Sequence, residues 1–327
     1  MSEPLRIGVL GAARITPMAL LSPARRTGVA RVVAVAARDP ARARAFAARH
    51  RIPAVAEGYD ALLANPDVEA VYNPLPNSLH AEWTIRALAA GKHVLCEKPL
   101  AATGAEAREM AEAARRHGRV LVEAFHYRYH ALFEKFLATV RSGEIGRLEH
   151  VEACFVIPIV QRGDIRWRRA LAGGALMDTG CYTMSMVRHV AGGEPDVTAA
   201  SARWTADGVD RWLTAELRFP GGVSGRITCS LLSFPPVRIH LAARCTQGRV
   251  RAFNPVAPQF VNRLTVTAPG GTRRERVRGE PSYDMQLRAF VAHVRDGVPV
   301  PTGPADAIGN MDAIDRVYAA AGRPTPA

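Results

Sequence analysis

A chain of 327 residues, 48% of them hydrophobic, is long enough for two buried cores, and it contains no run of 18 uncharged apolar residues of the kind that crosses a membrane. Its five cysteines (Cys96, Cys154, Cys181, Cys229 and Cys245) are scattered and form no CxxC pair, and its N-terminus lacks the apolar stretch of a signal peptide; a disulfide framework and a zinc site are disfavoured, and a reducing compartment, the cytoplasm, is expected. The net charge of +13 raises the question of nucleic acid, but lysine occurs only at 92, 98 and 135, so arginine supplies nearly all of it, and the densest basic stretch, Arg273 to Arg278, alternates as the solvated face of a strand does. Neither a nucleic-acid nor a membrane partner is expected.

Leu5 to Leu10 is a short apolar run that stops at Gly11, the pattern of a buried strand. A helix is predicted from about Ile15 to Arg26 and a second strand from Arg31 to Ala37. Asp39-Pro40 then supplies an N-cap and a first-turn proline for an Ala/Arg-rich helix running to His50. Further along come a strand at Val68 to Tyr72, a helix from Ser78 to Ala90 closed by Gly91, a strand at His93 to Cys96, a helix from Thr103 to His117 and a strand at Arg119 to Glu123. Strands alternating with helices predict an α/β parallel sheet covered on both faces. Past about residue 125 the rhythm changes. One long helix, Gly173 to Ala191, precedes alternating runs at Val197 to Trp204, Leu213 to Phe219, Val223 to Ser230, Arg238 to Ala243 and Phe260 to Thr267, which read as a largely antiparallel open sheet. Helices around Tyr283 to Arg295 and Ala305 to Ala321 close the chain.

The first strand–turn–helix reads Gly8-Val9-Leu10-Gly11-Ala12-Ala13-Arg14-Ile15-Thr16. In a dinucleotide fingerprint the glycines permit a tight turn and a close approach to pyrophosphate, while the helix N-terminus supplies N–H donors. Gly11 fills the first position; Ala13 and Thr16 stand where the other two glycines would be, so the motif is degenerate and draws its weight from its place between strand and helix. Ala12, Ala13, Arg14 and Ile15 complete the candidate cofactor turn. At the end of the second strand an acidic residue would bind the ribose hydroxyl of NAD, but the sequence offers Ala37-Arg38, which suits the 2′-phosphate of NADP; Asp39 is assigned to the helix N-cap. NADP(H) is therefore expected over NAD, with Arg14 placed to assist. The chain divides into a Rossmann dinucleotide-binding domain, residues 1–124, and an α+β domain for substrate binding and oligomerisation, residues 125–327.

The segments Tyr72-Asn73-Pro74-Leu75-Pro76-Asn77-Ser78-Leu79-His80 and Cys96-Glu97-Lys98-Pro99-Leu100, with Met177-Asp178-Thr179-Gly180-Cys181-Tyr182 further on, resemble the glucose–fructose oxidoreductase/inositol dehydrogenase (Gfo/Idh/MocA) family over essentially the whole chain. The wording around Gly11 and Asp178 is most similar to its dihydrodiol dehydrogenase and NADP-dependent xylose dehydrogenase branch. The resemblance implies that Lys98 sits beside the nicotinamide and the reacting oxygen, that Glu97 contacts the nicotinamide ribose, and that Pro74, Leu75, Asn77, His80, Arg128 and Trp167 line the cofactor. The residues agree on Lys98: a lysine at the carboxyl end of a parallel strand projects into the crevice where such sheets bind ligands, and an ammonium there can stabilise alkoxide charge. Pro99 stiffens that turn and admits a cis peptide. Asp178 and Tyr182, four apart on a predicted helix, share a face; where many relatives carry histidine this chain has Tyr182, which can relay the hydroxyl proton with Lys98 while Asp178 orients the substrate. His126, Arg166 and Asp178 are candidate substrate contacts; His126 stands where a bulky apolar residue is usual, although a lone histidine is more often structural.

The expectation is an NADP(H)-dependent dehydrogenase or reductase for a carbohydrate-like or vicinal-diol substrate, with Lys98 and Tyr182 in proton relay and no metal. By analogy with relatives, it would be a homodimer or homotetramer through the C-terminal sheet. The competing class is a non-catalytic NAD(P)-sensing regulator on the same fold, a reading that needs a lost lysine and meets Lys98 instead.

Overall fold

In the computed structural model, which describes residues 3–161 and 163–324, the first apolar run is strand β1, Leu5–Leu10, and five of its six residues are buried. It sits in a wholly parallel sheet with β2 (Ala30–Ala36), β3 (Ala54–Val55), β4 (Ala70–Asn73), β5 (His93–Cys96) and β6 (Leu121–Glu123), in the order β3-β2-β1-β4-β5-β6. Strand order reverses between β1 and β4, and in such sheets ligands bind beyond the carboxyl ends at that point. The intervening helices are α1 (Ser22–Thr27), α2 (Pro40–His50), α3 (Tyr59–Ala64), α4 (His80–Ala89) and α5 (Gly104–His117).

The caps follow the local chemistry. Asp39 Oδ1 accepts the N–H groups of Ala41 (2.9 Å) and Arg42 (3.3 Å) at the head of α2. Thr103 Oγ1 accepts the Glu106 N–H (3.2 Å) at the head of α5, and the Glu106 side chain reaches back to the Ala102 N–H (2.9 Å). The predicted helix from Ile15 instead begins as a π turn, Pro17–Leu21, before α1; proline lacks the N–H that a regular first turn leaves to solvent or a cap. The pair β3 and α3 was not anticipated, because a two-residue exposed strand and a six-residue helix carry too little periodicity to register.

The second sheet has eight strands, β7 (Leu148–Val156), β8 (Asp196–Trp204), β9 (Asp210–Arg218), β10 (Ser224–Ser230), β11 (Arg238–Cys245), β12 (Gly248–Phe253), β13 (Arg263–Ala268) and β14 (Gly271–Glu275). Their order is β14-β13-β12-β11-β7-β10-β9-β8, antiparallel throughout except for the parallel pair β7–β10. Helices α6 (Ala131–Arg141) and α7 (Cys181–Ala191) belong to the same unit, and α7 packs on β7 and β10 over buried Val151, Ala153, Ile227 and Cys229. Strand β7 escaped the sequence pattern because its second half is buried without interruption, which erases the alternation.

Two helices end the chain, α8 (Ser282–Asp296) and α9 (Pro304–Ala320). The expected division at residue 124 needs correction here. The chain resolves into one unit of Met1–His126 with Tyr283–Ile308, and another of Tyr127–Ser282 with Gly309–Ala327. Burial is the reason: Tyr283, Leu287, Phe290 and Val291 of α8 share one core with Leu5, Ile7, Leu20, Tyr72 and Val122. Asp284, 6% exposed at its side chain, pairs with Arg26, whose Nε lies 2.7 Å from Oδ2. Phe290→Ala is expected to destabilise this unit by about 3–5 kcal/mol, the usual range for emptying a buried phenylalanine site. Urea denaturation of the full chain checks it; a loss below 1 kcal/mol would remove α8 from the core.

Candidate active site

The cofactor turn begins where β1 ends. Gly11 has φ of +88°, a left-handed value that favours glycine, and its N–H donates to the Ala36 carbonyl at 2.6 Å. A Cβ there would come within 3.0 Å of Leu75 Cδ2. Ala12 is buried, Ala13 and Ile15 are half-buried and Arg14 is exposed. At the end of β2, Ala37 is buried and Arg38 exposed, while Asp39 turns one oxygen into the α2 cap. Sequence reasoning missed the next residue in this cluster. Arg42 Nη2 donates to the Ala12 carbonyl at 2.9 Å, bringing a guanidinium to the turn. A signal was available: Arg42 sits in the first turn of α2, where side chains lean toward the helix N-terminus and hence toward the strand ends. Tyr59 joins them, its hydroxyl facing the charges of Arg38 and Arg42; burial nevertheless raises its pKa above the usual value.

The second cluster surrounds Lys98. Asn73, at the end of β4, accepts the Leu75 N–H on Oδ1 (3.3 Å) and donates through Nδ2 to the His80 carbonyl (3.3 Å) and Thr84 Oγ1 (3.1 Å). His80 is fully buried, with Nε2 2.8 Å from the Leu75 carbonyl and Nδ1 2.9 Å from the Pro99 carbonyl. Both ring nitrogens thus face backbone carbonyls; the neutral ring donates its single N–H to one of them and packs its other nitrogen against the second. The assignment of His80 as a cofactor contact is replaced by a staple between the Pro74–Asn77 turn and the Lys98–Pro99 turn. Burial holds its pKa below the usual value despite the two carbonyls, with Lys98 adding to the depression. The Lys98–Pro99 peptide is cis. Beneath it, buried Glu123 accepts the Leu100 N–H on Oε1 at 2.8 Å. Glu97 accepts the Tyr72 hydroxyl at 2.6 Å, and burial and that carboxylate push the phenol well above its usual pKa.

Lys98 is half-buried past the carboxyl end of β5. The other two lysines are committed elsewhere: Lys92 donates to the carbonyls of Asn65 (2.8 Å) and Val68 (2.7 Å), and Lys135 pairs with Glu275. Pro74 and Leu75 are buried and Asn77 is half-buried. His126 is buried and lies against Tyr283 with ring centroids 3.9 Å apart and planes 26° apart, the packing of a structural histidine.

In the second unit a π turn, Leu176–Gly180, runs into α7 and carries Asp178. The regular i, i+4 spacing predicted for Asp178 and Tyr182 is therefore interrupted, and such turns recur at functional sites. Asp178 Oδ2 accepts from Arg166 Nε at 2.7 Å, and Arg166 Nη1 also reaches Asp164 at 3.1 Å. Asp178, then Asp164, hold this half-buried guanidinium above its already high pKa. Tyr182 is buried, its ring edge-on to Phe155 (5.6 Å) and tilted against Tyr127 (5.9 Å). Arg128 is buried, with its guanidinium 5.4 Å from the Phe133 ring centroid. Trp167 donates its indole N–H to the Ile159 carbonyl at 3.0 Å, as in a packed loop. Of the predicted residues, Gly11 to Ile15, Ala37, Arg38, Pro74, Leu75, Asn77, Glu97 and Lys98 belong to the first unit, where Gly11 faces Leu75, and Arg166, Asp178 and Tyr182 to the second, where Arg166 and Asp178 touch.

Residues 5–125 match the family described as "Oxidoreductase family, NAD-binding Rossmann fold", and residues 133–251 match the "GFO/IDH/MocA C-terminal domain". The chain is 43% identical, over 88% of its length and 84% of the relative's, to a dTDP-3,4-didehydro-2,6-dideoxy-alpha-D-glucose 3-reductase of Streptomyces violaceoruber. It is 35% identical, over 97% of both chains, to D-xylose 1-dehydrogenase (NADP(+)) 2 of Haloferax volcanii. Among solved structures, a 3-ketoreductase from Actinomadura kijaniata in complex with NADP and TDP-benzene superposes with a TM-score of 0.90 at 30% identity, covering 97% of this chain and 98% of the other. That ketoreductase has also been solved with a lysine replaced by alanine and with a tyrosine, 84 positions later, replaced by phenylalanine.

Because folding depresses the His80 pKa, the folded unit takes up this proton less readily than the unfolded chain, so acid favours unfolding. The stability that the neutral ring confers is expected to be full above about pH 6.5 and to fall as the pH drops below that value. His80→Gln should flatten that part of a melting-temperature–pH curve and lower the neutral-pH melting temperature; an unchanged curve would show that the staple carries no load.

Proposed function

The chain belongs to the Gfo/Idh/MocA oxidoreductase family, and from that premise we propose that it is an NADP(H)-dependent dehydrogenase or reductase acting on a secondary alcohol or carbonyl of a sugar, sugar derivative or vicinal diol. The observation that carries the proposal is the setting of Lys98, beyond the end of β5 in a turn held by His80 and Glu123. The relatives support a carbohydrate: their names specify a dTDP-linked keto sugar and D-xylose. The lysine and tyrosine replaced in the Actinomadura ketoreductase are separated by the same 84 positions as Lys98 and Tyr182.

The residues present fit NADP(H). Gly11 opens a left-handed turn ahead of backbone N–H groups at Ala12 to Ile15, suited to pyrophosphate. Arg42 brings a guanidinium to that turn, and both Arg38 and Arg42 act on the neighbouring Tyr59 hydroxyl; together they are assigned to the 2′-phosphate. Glu97 is assigned to the nicotinamide ribose, and Pro74, Leu75 and Asn77 to the wall of the site. When bound, the nicotinamide supplies hydride-transfer chemistry. Lys98 is proposed to hydrogen-bond the reacting oxygen and stabilise alkoxide charge on it, and Tyr182 to move the hydroxyl proton. Arg166 and Asp178, already paired, are assigned to substrate hydroxyls, and Arg128 and Trp167 to the frame around them. His126 is assigned to packing. Self-association is proposed through the face of the second sheet that exposes Arg249, Arg251, Phe253 and Arg263; light scattering of the purified chain tests it.

NADPH consumption with dTDP-linked keto sugars, and NADP reduction with aldoses and diols, each in parallel with NAD(H), test the activity. Turnover with none of them would favour the sensor. Lys98→Ala is expected to cut kcat at least a hundredfold while leaving the Kd for NADPH within threefold; an unchanged kcat would remove Lys98 from the reaction. The double variant Arg38→Ala/Arg42→Ala is expected to raise the KM for NADPH roughly 10- to 100-fold, the equivalent of about 1.4–2.8 kcal/mol, with the KM for NADH little changed. Equal effects on both cofactors would sink the phosphate assignment.

A further inference from the structure

We propose that Asp210 is a positioning residue that fixes the Asp178–Tyr182 segment from below, through one bond to the segment's first N–H and one to helix α9. The proposal rests on the assignment of Asp178 and Tyr182 to the reaction. Asp210 is the first residue of β9 and is 1% exposed. Its Oδ2 accepts the Leu176 N–H at 2.7 Å, and its Oδ1 accepts the Tyr318 hydroxyl at 2.9 Å. These partners are neutral donors, yet a buried carboxylate is expensive. What the charge brings is strength: a hydrogen bond to an ionised acceptor is about twice a neutral one, and at the start of a helical segment it also meets the positive end of the backbone dipole.

Leu176 opens the π turn that holds Asp178. The backbone before it is shaped around the carboxylate. Gly174 has φ of +136°, and a Cβ there would collide with Asp210 Oδ1 and lie 3.0 Å from the Tyr318 hydroxyl. Helix α9 holds the same segment a second time, where Asn310 Nδ2 donates to the Cys181 carbonyl at 3.2 Å. The two anchors bracket the segment, one just before Asp178 and one just before Tyr182. A pair assigned to the substrate, with Asp178 on the irregularly bonded π turn and Tyr182 at the start of the helix that follows it, needs such outside support.

The site also has a defined response to acid. Burial raises the Asp210 pKa to about 6, against the opposing bonds from Leu176 and Tyr318. The other groups facing it are the Arg323 guanidinium, which lies 4.1 Å from the Tyr318 ring centroid, and the Cys229 thiol on β10. A carboxyl with a raised pKa binds its proton more tightly in the folded chain. It therefore adds stability below about pH 3.8, and that stability is lost as the pH rises through 6. Protonation, though, exchanges the charge-assisted bond to Leu176 for a weaker neutral one, so local order in the segment should decline while global stability rises.

Amide hydrogen exchange on the full chain tests this, with rates corrected for intrinsic pH dependence. In Asp210→Ala, residues 174–182 are expected to exchange at least tenfold faster at pH 7.5, with the Kd for NADPH unchanged. Tyr318→Phe should do the same more weakly, which keeps the test alive if the alanine variant does not fold. Asp210→Asn, which retains an acceptor oxygen, should come within threefold of the parent at pH 7.5 and should lack the loss of protection that the parent shows as the pH is lowered through 6. Parent-like exchange in Tyr318→Phe together with no pH step in the parent would overturn the proposal, as would acceleration spread evenly over the second unit. Tyr182→Phe separates the premises. If its kcat is unchanged, the catalytic assignment of Tyr182 fails, and the exchange data still decide the Asp210 contact. If its kcat falls while Asp210→Ala or Tyr318→Phe turns over normally, Asp210 does not position the pair and the proposed function stands.

Discussion

A buried imidazole with a carbonyl oxygen against each nitrogen fixes the separation of the two chain segments that supply those carbonyls. His80 does this for the turns after β4 and β5. Lys98 depends on it, because its turn is gripped by His80 from one side and by Glu123 from another. The β4 turn depends on it as well, with Asn73 completing the knot through Leu75 and Thr84. Burial keeps the ring's pKa low, so the ring is neutral and holds the two turns by one N–H bond and by close packing of its other nitrogen. Lys98, the lysine proposed for the chemistry, is thereby carried on a turn that is held at Pro99 and at Leu100.

Much of this was legible in the chain, and the misses have physical causes. Strands β1 and β5 were read to the residue because short apolar runs bounded by turn-formers have few alternatives. Asp39 was read as a cap because a carboxylate before proline at a helix start is a strong local signal, and the structure puts its oxygen on the Ala41 and Arg42 N–H groups. His80 looked like a cofactor contact because sequence cannot tell which carbonyls will converge on a ring. Arg42 was overlooked among similar arginines on α2, although its first-turn position leans it toward the strand ends, and the fold gives it the Ala12 carbonyl. Asp210 carried no pattern at all, since its partners Leu176 and Tyr318 lie 34 and 108 residues away.

The abundance of arginine matters less as net charge than as local pairing. Arg26, Arg166, Arg188, Arg226, Arg244, Arg273 and Arg295 each meet a carboxylate in the structure, so these arginines act locally, while the surplus of +13, which such one-to-one pairs leave unchanged, is carried by others. Arg42, like Arg276 and Arg316, spends its bond on a carbonyl and not on an acid, and its carbonyl is the one in the cofactor turn.

The return of α8 to the first unit has a consequence for how the protein is made. Leu5 and Leu20 share a core with Leu287 and Phe290. A growing chain exposes the first pair almost at once and must carry it without its cover until nearly the whole polypeptide has been synthesised. The second unit, by contrast, has its entire sheet in hand by Glu275. Contacts of such long sequence separation close late. The N-terminal half of the message therefore encodes a part of the protein that cannot close before α8 has been made, and the second unit waits longer still for residues 309–327, so a truncation at the C-terminus strikes the second unit first and one that reaches α8 opens the first.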